Sequence, residues 1–152
     1  MQKCTLALGC FWKPEENFKN HPGILKTEVG YAGGQKSEVT YEEVCTGKTN
    51  HAEVVRLLYD EKIISFEKIL DLFFKMHDPT QKDMQYPDVG TQYRSEIFYE
   101  TDEQKKEAEA AIVKKNPIYG GKIQTNISKI KNYCKAEEYH QRYIEKKIIW
   151  NL

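Results

Sequence analysis

An apolar run, Lys3–Leu8, stops at Gly9-Cys10-Phe11-Trp12, and within six residues of the cysteine Pro14, Glu15 and Glu16 signal the start of a helix. The run reads as a short buried strand, and Gly9 breaks it where the chain must turn. Proline is tolerated in a helix's first turn, where its missing N–H costs nothing, and acidic residues there complement the positive end of the dipole. The chain is thereby committed to a strand, a turn at a cysteine, then a helix. A thiol so placed sits beside unpaired backbone N–H groups, a setting expected to favour the nucleophilic thiolate. Phe11 and Trp12 would wall such a site.

The first helix stops near His21-Pro22-Gly23, and Ile24 to Tyr31 reads as a second strand, ended by Gly33-Gly34. Gln35 to Asn50 is polar and loop-like, with one helical turn suggested at Thr40–Cys45. A third strand follows over Ala52–Tyr59. Ser65 caps a helix in which Phe66, Ile69, Leu70, Phe73 and Phe74 recur at helical spacing, so that face is core. Asp78-Pro79 ends it, and the stretch to Gln92 is a loop long enough to suspect function. Tyr93–Tyr99 alternates as a strand. Thr101 opens a further helix with a capping-box pattern, running to Asn116-Pro117. A last strand or strand pair spans Ile123–Ile130, and Glu137–Trp150 reads as a final helix. The order βαββαβαβα predicts an α+β fold with a mixed sheet, in one domain over residues 1–152.

Lys plus Arg and Asp plus Glu balance at 23 each, so no overall field recruits nucleic acid or an anionic membrane. The mean hydropathy of -0.72 reflects a charged surface and does not imply disorder. No apolar run approaches the ~20 residues of a membrane span. Leu6–Cys10 faintly resembles a lipoprotein cleavage site, but the preceding apolar run is too short for a secretory leader, and a cytoplasmic protein is expected. The four cysteines, at 4, 10, 45 and 134, lack a C-x-x-C, so reduced thiols are the default and no metal site is read.

Cys10 is the reactive candidate by position. Packing accounts for Cys4 and Cys45, and Cys134, in a polar run, is expected to be the most exposed. His51-Ala52-Glu53 is half of a zinc-deaminase signature whose P-C-x-x-C half is absent. Glu53 is either a solvated edge residue or a carboxyl whose pKa burial raises, able to donate a proton near neutrality. Tyr41 and Tyr93 are either ordinary edge aromatics or phenols that aim a donor at a polar oxygen. Asp88, taken alone, reads as a turn former.

These segments resemble the A-type peptide methionine sulfoxide reductases. Gly9-Cys10-Phe11-Trp12 is similar to that family's nucleophile motif. Gly30–Gly34, Thr40–Gly47, His51–Arg56, His77–Gln81, Asp88–Ser95 and Ala136–Gln141 are similar to its later landmarks, in order over nearly the whole chain. The resemblance implies Cys10 as nucleophile, Glu53 as proton donor, and Tyr41 and Tyr93 as hydrogen-bond partners of the sulfoxide oxygen. It also implies that Phe11 and Trp12 hold the S-methyl group and that Asp88 orients the substrate. The implied activity reduces methionine S-sulfoxide, free or in oxidised proteins, through a cysteine sulfenic acid, repairing oxidative damage. The implied fold is a two-layer α/β sandwich of ferredoxin-like type. The implied partner is a thiol reductant (thioredoxin, glutaredoxin or glutathione), with no bound cofactor, and a monomer is expected.

The sequence departs from the family's pattern twice. Lys13 stands where glycine is common and is expected to point to solvent. Many members also end in a Gly-rich tail with a resolving cysteine, which is not found before Leu152, so Cys134 is the expected resolving thiol, with direct reduction of Cys10 as the alternative. Two other functions remain open from the residues themselves. One is a thiol peroxidase or cysteine hydrolase using Cys10 and His51. The other is a sulfoxide-binding domain without catalysis.

Overall fold

The computed structural model describes residues 1–150. β1 (Gln2–Leu8) turns Cys4, Leu6 and Leu8 to one face and Thr5 and Ala7 to the other, all with almost no solvent contact. α1 (Trp12–Lys19) follows at once, with Pro14 in its first turn, and β2 (Ile24–Ala32) begins after the His21–Gly23 turn. In α2 (Tyr41–Cys45), Thr40 and Glu43 form a reciprocal capping box, which lets so short a helix form. β3 (Ala52–Tyr59) is followed by α3 (Phe66–Met76), whose Ser65 cap accepts from the Lys68 N–H at 3.0 Å.

The expected loop from Asp78 to Gln92 holds a small antiparallel pair, β4 (Met84–Gln85) and β5 (Asp88–Val89), around a cis Tyr86–Pro87 bond. β6 (Ser95–Tyr99) and α4 (Asp102–Lys115), capped by Thr101, come next. β7 (Asn126–Lys129), β8 (Cys134–Lys135) and α5 (Tyr143–Trp150) complete the order.

The main sheet runs β7-β6-β1-β3-β2-β8. Among the described residues only β6 and β7 pair in parallel, so the sheet is mixed as expected. On one face Phe18, Ile69, Leu70, Phe73, Phe74 and Ala108 of the helices pack against Leu6, Val29, Val55, Leu57 and Ile97. Each fully buried Phe or Leu there contributes roughly 1.5–3 kcal/mol. The other face carries a smaller cluster, Ala7, Ala32, Ala52, Val54 and Phe98, against which Ile130 and Tyr133 lie. No described helix is long and apolar enough to cross a membrane.

Three expectations are corrected. Tyr93 is not in a strand: Thr91–Tyr93 form a 3-10 turn closed by the Tyr93 N–H on the Gly90 carbonyl at 3.0 Å, and the strand starts at Ser95. Of the strand or strand pair expected over Ile123–Ile130, one strand forms, β7 at one edge of the sheet, and the opposite edge is closed by β8, which lies beyond that span. The final helix does not start at Glu137. Gln141 is drawn into the sheet, its side chain accepting from the Val29 N–H at 2.9 Å and donating to the Val29 carbonyl at 2.8 Å. Glu138–His140 therefore form a 3-10 turn, Arg142 takes a left-handed φ of 50°, and α5 begins only at Tyr143. Asn151 and Leu152, included in the expected domain, lie outside the described residues.

Candidate active site

Gly9 leaves β1 with φ at 95°, a conformation natural to glycine, and a Cβ there would meet Gln85 Cγ at 2.9 Å. That bend sets Cys10, half-buried, between the end of β1 and the first residue of α1. The Trp12 N–H bonds the thiol and favours the thiolate, yet burial wins, and with Glu53 and Asp88 adding to it the Cys10 pKa is pushed up to about 12. The expectation of a resting thiolate is thus corrected. Desolvation of a charge here outweighs one backbone N–H at a helix end.

Glu53 belongs to the row Glu53, Val55, Leu57, Tyr59 on the core-facing side of β3, opposite Tyr31 of β2 in register, and is 1% exposed. Its Oε1 accepts from the Phe11 N–H at 3.3 Å, and its Oε2 has no partner. Burial pushes its pKa up to about 8; the Phe11 N–H opposes the rise and Asp88 adds to it. Glu53 is therefore a largely neutral carboxylic acid at pH 7, with one buried oxygen free.

Tyr41 and Tyr93 are half-buried, and burial raises both phenols, so each keeps its hydroxyl proton at neutral pH. Tyr93 lies within electrostatic reach of Glu53, Asp88 and Cys10, and Tyr41 within reach of Glu53 and Tyr93. The structure thus brings Cys10, Glu53, Tyr41, Tyr93 and Asp88 within electrostatic reach of one another's neighbours, with Asp88 on β5 acting on both Cys10 and Glu53. The Tyr41 N–H is fixed by Glu137 Oε2 at 2.8 Å, and the other oxygen of Glu137 accepts from the Tyr31 hydroxyl at 2.8 Å.

The aromatic walls differ. Phe11 is almost fully buried, its ring 5.2 Å from that of His140, while Trp12 is partly open. Trp12 donates its indole N–H to His140 Nδ1 at 3.0 Å and stacks on Tyr143 at 3.9 Å between centroids. His140, Tyr143 and Glu137 are the functional neighbours that sequence reasoning left without roles. The signal for Glu137 and His140 was the Ala136–Gln141 segment, quoted only as a landmark, whereas Tyr143, just beyond it, carried none.

Other candidates lie elsewhere. Both ring nitrogens of His51 are occupied, Nε2 against the Lys36 carbonyl at 2.8 Å and Nδ1 by the Gly34 N–H at 3.4 Å. It is therefore not poised as a base for Cys10, which removes the geometric support for a Cys10–His51 peroxidase or hydrolase. Cys134 is half-buried on β8 opposite Tyr31, its thiol facing the carbonyls of Val39 at 3.6 Å and Lys135 at 3.7 Å. The expected order of exposure is corrected: sheet pairing shields Cys134, whereas Cys45, at the end of a one-turn helix, is exposed. Cys4 is buried and Lys13 is exposed, both as expected. Among the described residues no three His, Cys, Asp or Glu side chains converge as metal ligands.

Comparison with known proteins shows the family of the chain. A model of the family described as peptide methionine sulfoxide reductase matches residues 2–150. The peptide methionine sulfoxide reductase MsrA of Pelagibacter ubique is 59% identical over 147 residues, covering 97% of this chain and all of that protein. Among solved structures, reduced Mxr1 from Saccharomyces cerevisiae superposes with a TM-score of 0.92 at 40% identity, over 97% of this chain and 86% of Mxr1. Mxr1 in complex with Trx2 gives a TM-score of 0.66 at 29% identity, over 93% of this chain and 84% of that one. By its sequence and by the fold that carries Cys10, the chain belongs to the peptide methionine sulfoxide reductase family.

Proposed function

We propose that Cys10 reduces methionine S-sulfoxide, free or within oxidised proteins, to methionine, with Glu53 as the acid. The observation that carries this reading is a buried carboxyl, pushed up to about 8 and with one unpartnered oxygen, bonded to the N–H of the residue after a half-buried thiol and within its electrostatic reach. Sulfoxide sulfur is a poor electrophile until its oxygen is protonated, so acid and thiol must address opposite ends of one S=O bond.

The thiol is the resting form, so its proton must leave as sulfur attacks. Glu53 gives its proton to the sulfoxide oxygen and is restored by the thiol's proton, ending unchanged. The Cys10 sulfur bonds the substrate sulfur; that S–S bond then breaks as the hydroxyl passes from the substrate sulfur to Cys10, so methionine leaves and Cys10 is left a sulfenic acid, oxidised by the two electrons that methionine sulfur gained. Tyr41 and Tyr93 donate hydrogen bonds to the oxygen, and Asp88 orients the substrate. Trp12, held by His140 and Tyr143, together with Phe11, shapes a pocket for the S-methyl group and selects the epimer.

The strand order β6-β1-β3-β2 within a β1-α1-β2-β3-α3-β6 path supports a ferredoxin-like reading of the two-layer sandwich, as one domain over 1–152. Resetting Cys10 falls to an external thiol: the Mxr1–Trx2 complex favours a thioredoxin-type dithiol over glutaredoxin or glutathione. The four free thiols suit a reducing compartment such as the cytoplasm, and a monomer is the working unit.

Incubation with methionine sulfoxide and dithiothreitol tests the reading against its rivals. Methionine should accumulate in wild type and not in Cys10→Ser. Peroxide or ester turnover without methionine would establish the peroxidase or hydrolase instead, and binding without turnover would leave a binding domain.

A further inference from the structure

Glu15 is 1% exposed on α1 and takes no part in the mechanism above. A carboxylate at a buried helix position costs free energy unless its oxygens are bonded, and an apolar side chain would fill the space without that cost. Both oxygens are in use. Oε2 accepts from the Thr27 hydroxyl of β2 at 2.8 Å, and Oε1 accepts from the Arg142 N–H at 2.7 Å. The second bond is to backbone and not to the charge of Arg142, whose guanidinium turns to Glu138 at 3.8 Å and Glu145 at 4.0 Å.

What that bond holds is the stretch of chain on which Trp12 rests. Arg142 stands between His140, whose Nδ1 accepts from the Trp12 indole N–H at 3.0 Å, and Tyr143, whose ring stacks on Trp12 at 3.9 Å. Its φ of 50° is one that a residue with a Cβ keeps only when its surroundings hold it there. Gln141 ties one side of the kink to Val29 in the sheet, and Glu15 ties the other to α1. The Lys146 N–H then bonds the Arg142 carbonyl at 3.0 Å as α5 gets under way. Trp12 and Glu15 are three residues apart on α1 and share a face. The contacts therefore close a circuit, from the indole to His140, along the chain to Arg142, across to Glu15 and back along the helix.

We propose that Glu15 is a positioning residue of the S-methyl pocket: its carboxylate fixes the His140–Tyr143 stretch on α1 and thereby the angle of the Trp12 indole. The inference rests on the sulfoxide reductase reading, since it takes Trp12 as a wall of that pocket. Glu15 acts through the Arg142 backbone. Its loss frees the indole and loosens the pocket, while Cys10 at the end of β1 and Glu53 on β3 keep their places.

The test uses the full chain, with methionine S-sulfoxide and its S-ethyl homologue each followed in single turnovers. A shaped pocket discriminates one methylene by roughly 10–200-fold, so wild type should prefer the methyl compound by a factor in that range. Glu15→Leu should narrow this ratio of second-order rate constants at least ~5-fold, and raise the half-saturating methionine sulfoxide concentration more than it lowers the saturating rate. Glu15→Gln, whose amide can accept from Arg142 and donate to the Thr27 hydroxyl, should restore the ratio to within about twofold of wild type. In a Trp150→Phe background, which leaves Trp12 as the single tryptophan, acrylamide should quench Glu15→Leu more strongly than either wild type or Glu15→Gln. A Glu15 that serves folding alone would lower the active fraction, and so the amplitude of methionine release, without moving the ratio. That result, or a wild type indifferent to methyl and ethyl, would overturn the proposal. If Glu15→Leu does not fold, Thr27→Val unties one carboxylate oxygen at similar volume and carries the same test: a narrowed ratio supports the proposal and an unchanged one overturns it. Absence of methionine from wild type would instead overturn the reductase reading.

Discussion

Replacing Glu53 by Gln removes a proton donor while keeping its shape, and a Gln carbonyl can still accept from the Phe11 N–H that Oε1 accepts from now. With the acid titrating at about 8, roughly ten molecules in eleven hold the proton at pH 7, and the fraction falls tenfold for each unit above 8. Since both thiol and acid react in their neutral forms, the wild-type single-turnover rate should be flat below pH 8 and decline above it. Losing a positioned acid costs about 10²–10⁴-fold. Glu53→Gln should therefore form methionine at least ~100-fold more slowly at pH 7. Without the acid its residual rate depends on the Cys10 thiolate, which populates only toward pH 12, so the rate should rise with pH where wild type falls. Rapid-quench measurement of methionine against pH reads both slopes. A mutant within about threefold of wild type at pH 7, or one that keeps the alkaline decline, would refute the acid role.

The same substitution should stabilise the fold at alkaline pH. The folded state holds the Glu53 proton that the unfolded chain releases near 4.5, so stability drains away as pH rises from about 4.5 to about 8, and Glu53→Gln should recover a few kcal/mol at pH 9 in urea unfolding. No gain at pH 9 would contradict the burial argument. His77 predicts the opposite limb. It is half-buried and neutral between the Phe73 carbonyl and the Ser95 hydroxyl, with its pKa pushed down to about 4 by desolvation. Up to about 3 kcal/mol should therefore be lost as pH falls from about 6.5 to 4, and His77→Gln should flatten that loss. Gly34→Ala would place a Cβ 2.3 Å from the Thr49 carbonyl and 2.6 Å from the His51 ring. Backbone cannot yield as a side chain can, so a loss of about 3 kcal/mol is expected, read from the urea midpoint.

The sequence revealed elements whose signals are local. The Ser65 and Thr101 caps, the Phe66–Phe74 stripe and the Gly9 break each announced themselves within a few residues, and each stands where expected. Position alone singled out Cys10; roles for Glu53, Tyr41, Tyr93 and Asp88 came through the resemblance to the reductase family, since by themselves those residue types also read as edge or turn residues. What stayed hidden depends on distant contacts. Gln141 mimics a strand neighbour for Val29, and no period in the Glu137–Trp150 segment reveals that the helix must wait until Tyr143. The two residues of β8 are too short for any pattern and form only because the β2 edge is open there. The charge state of Cys10 was misjudged because a helix end is visible in sequence, whereas the desolvation that outweighs it requires the packed site. Exposure of Cys45 and shielding of Cys134 were inverted for a related reason. Polarity of flanking residues does not say which backbone joins a sheet.

The central claim is that the site formed by Cys10 and Glu53 reduces one epimer of methionine sulfoxide. Racemic methionine sulfoxide with excess dithiothreitol, followed by chiral chromatography, tests it most directly. Consumption should stop at about half, leaving the R epimer untouched, because each epimer has its own reductase. Consumption of both epimers, or of neither, would contradict the account.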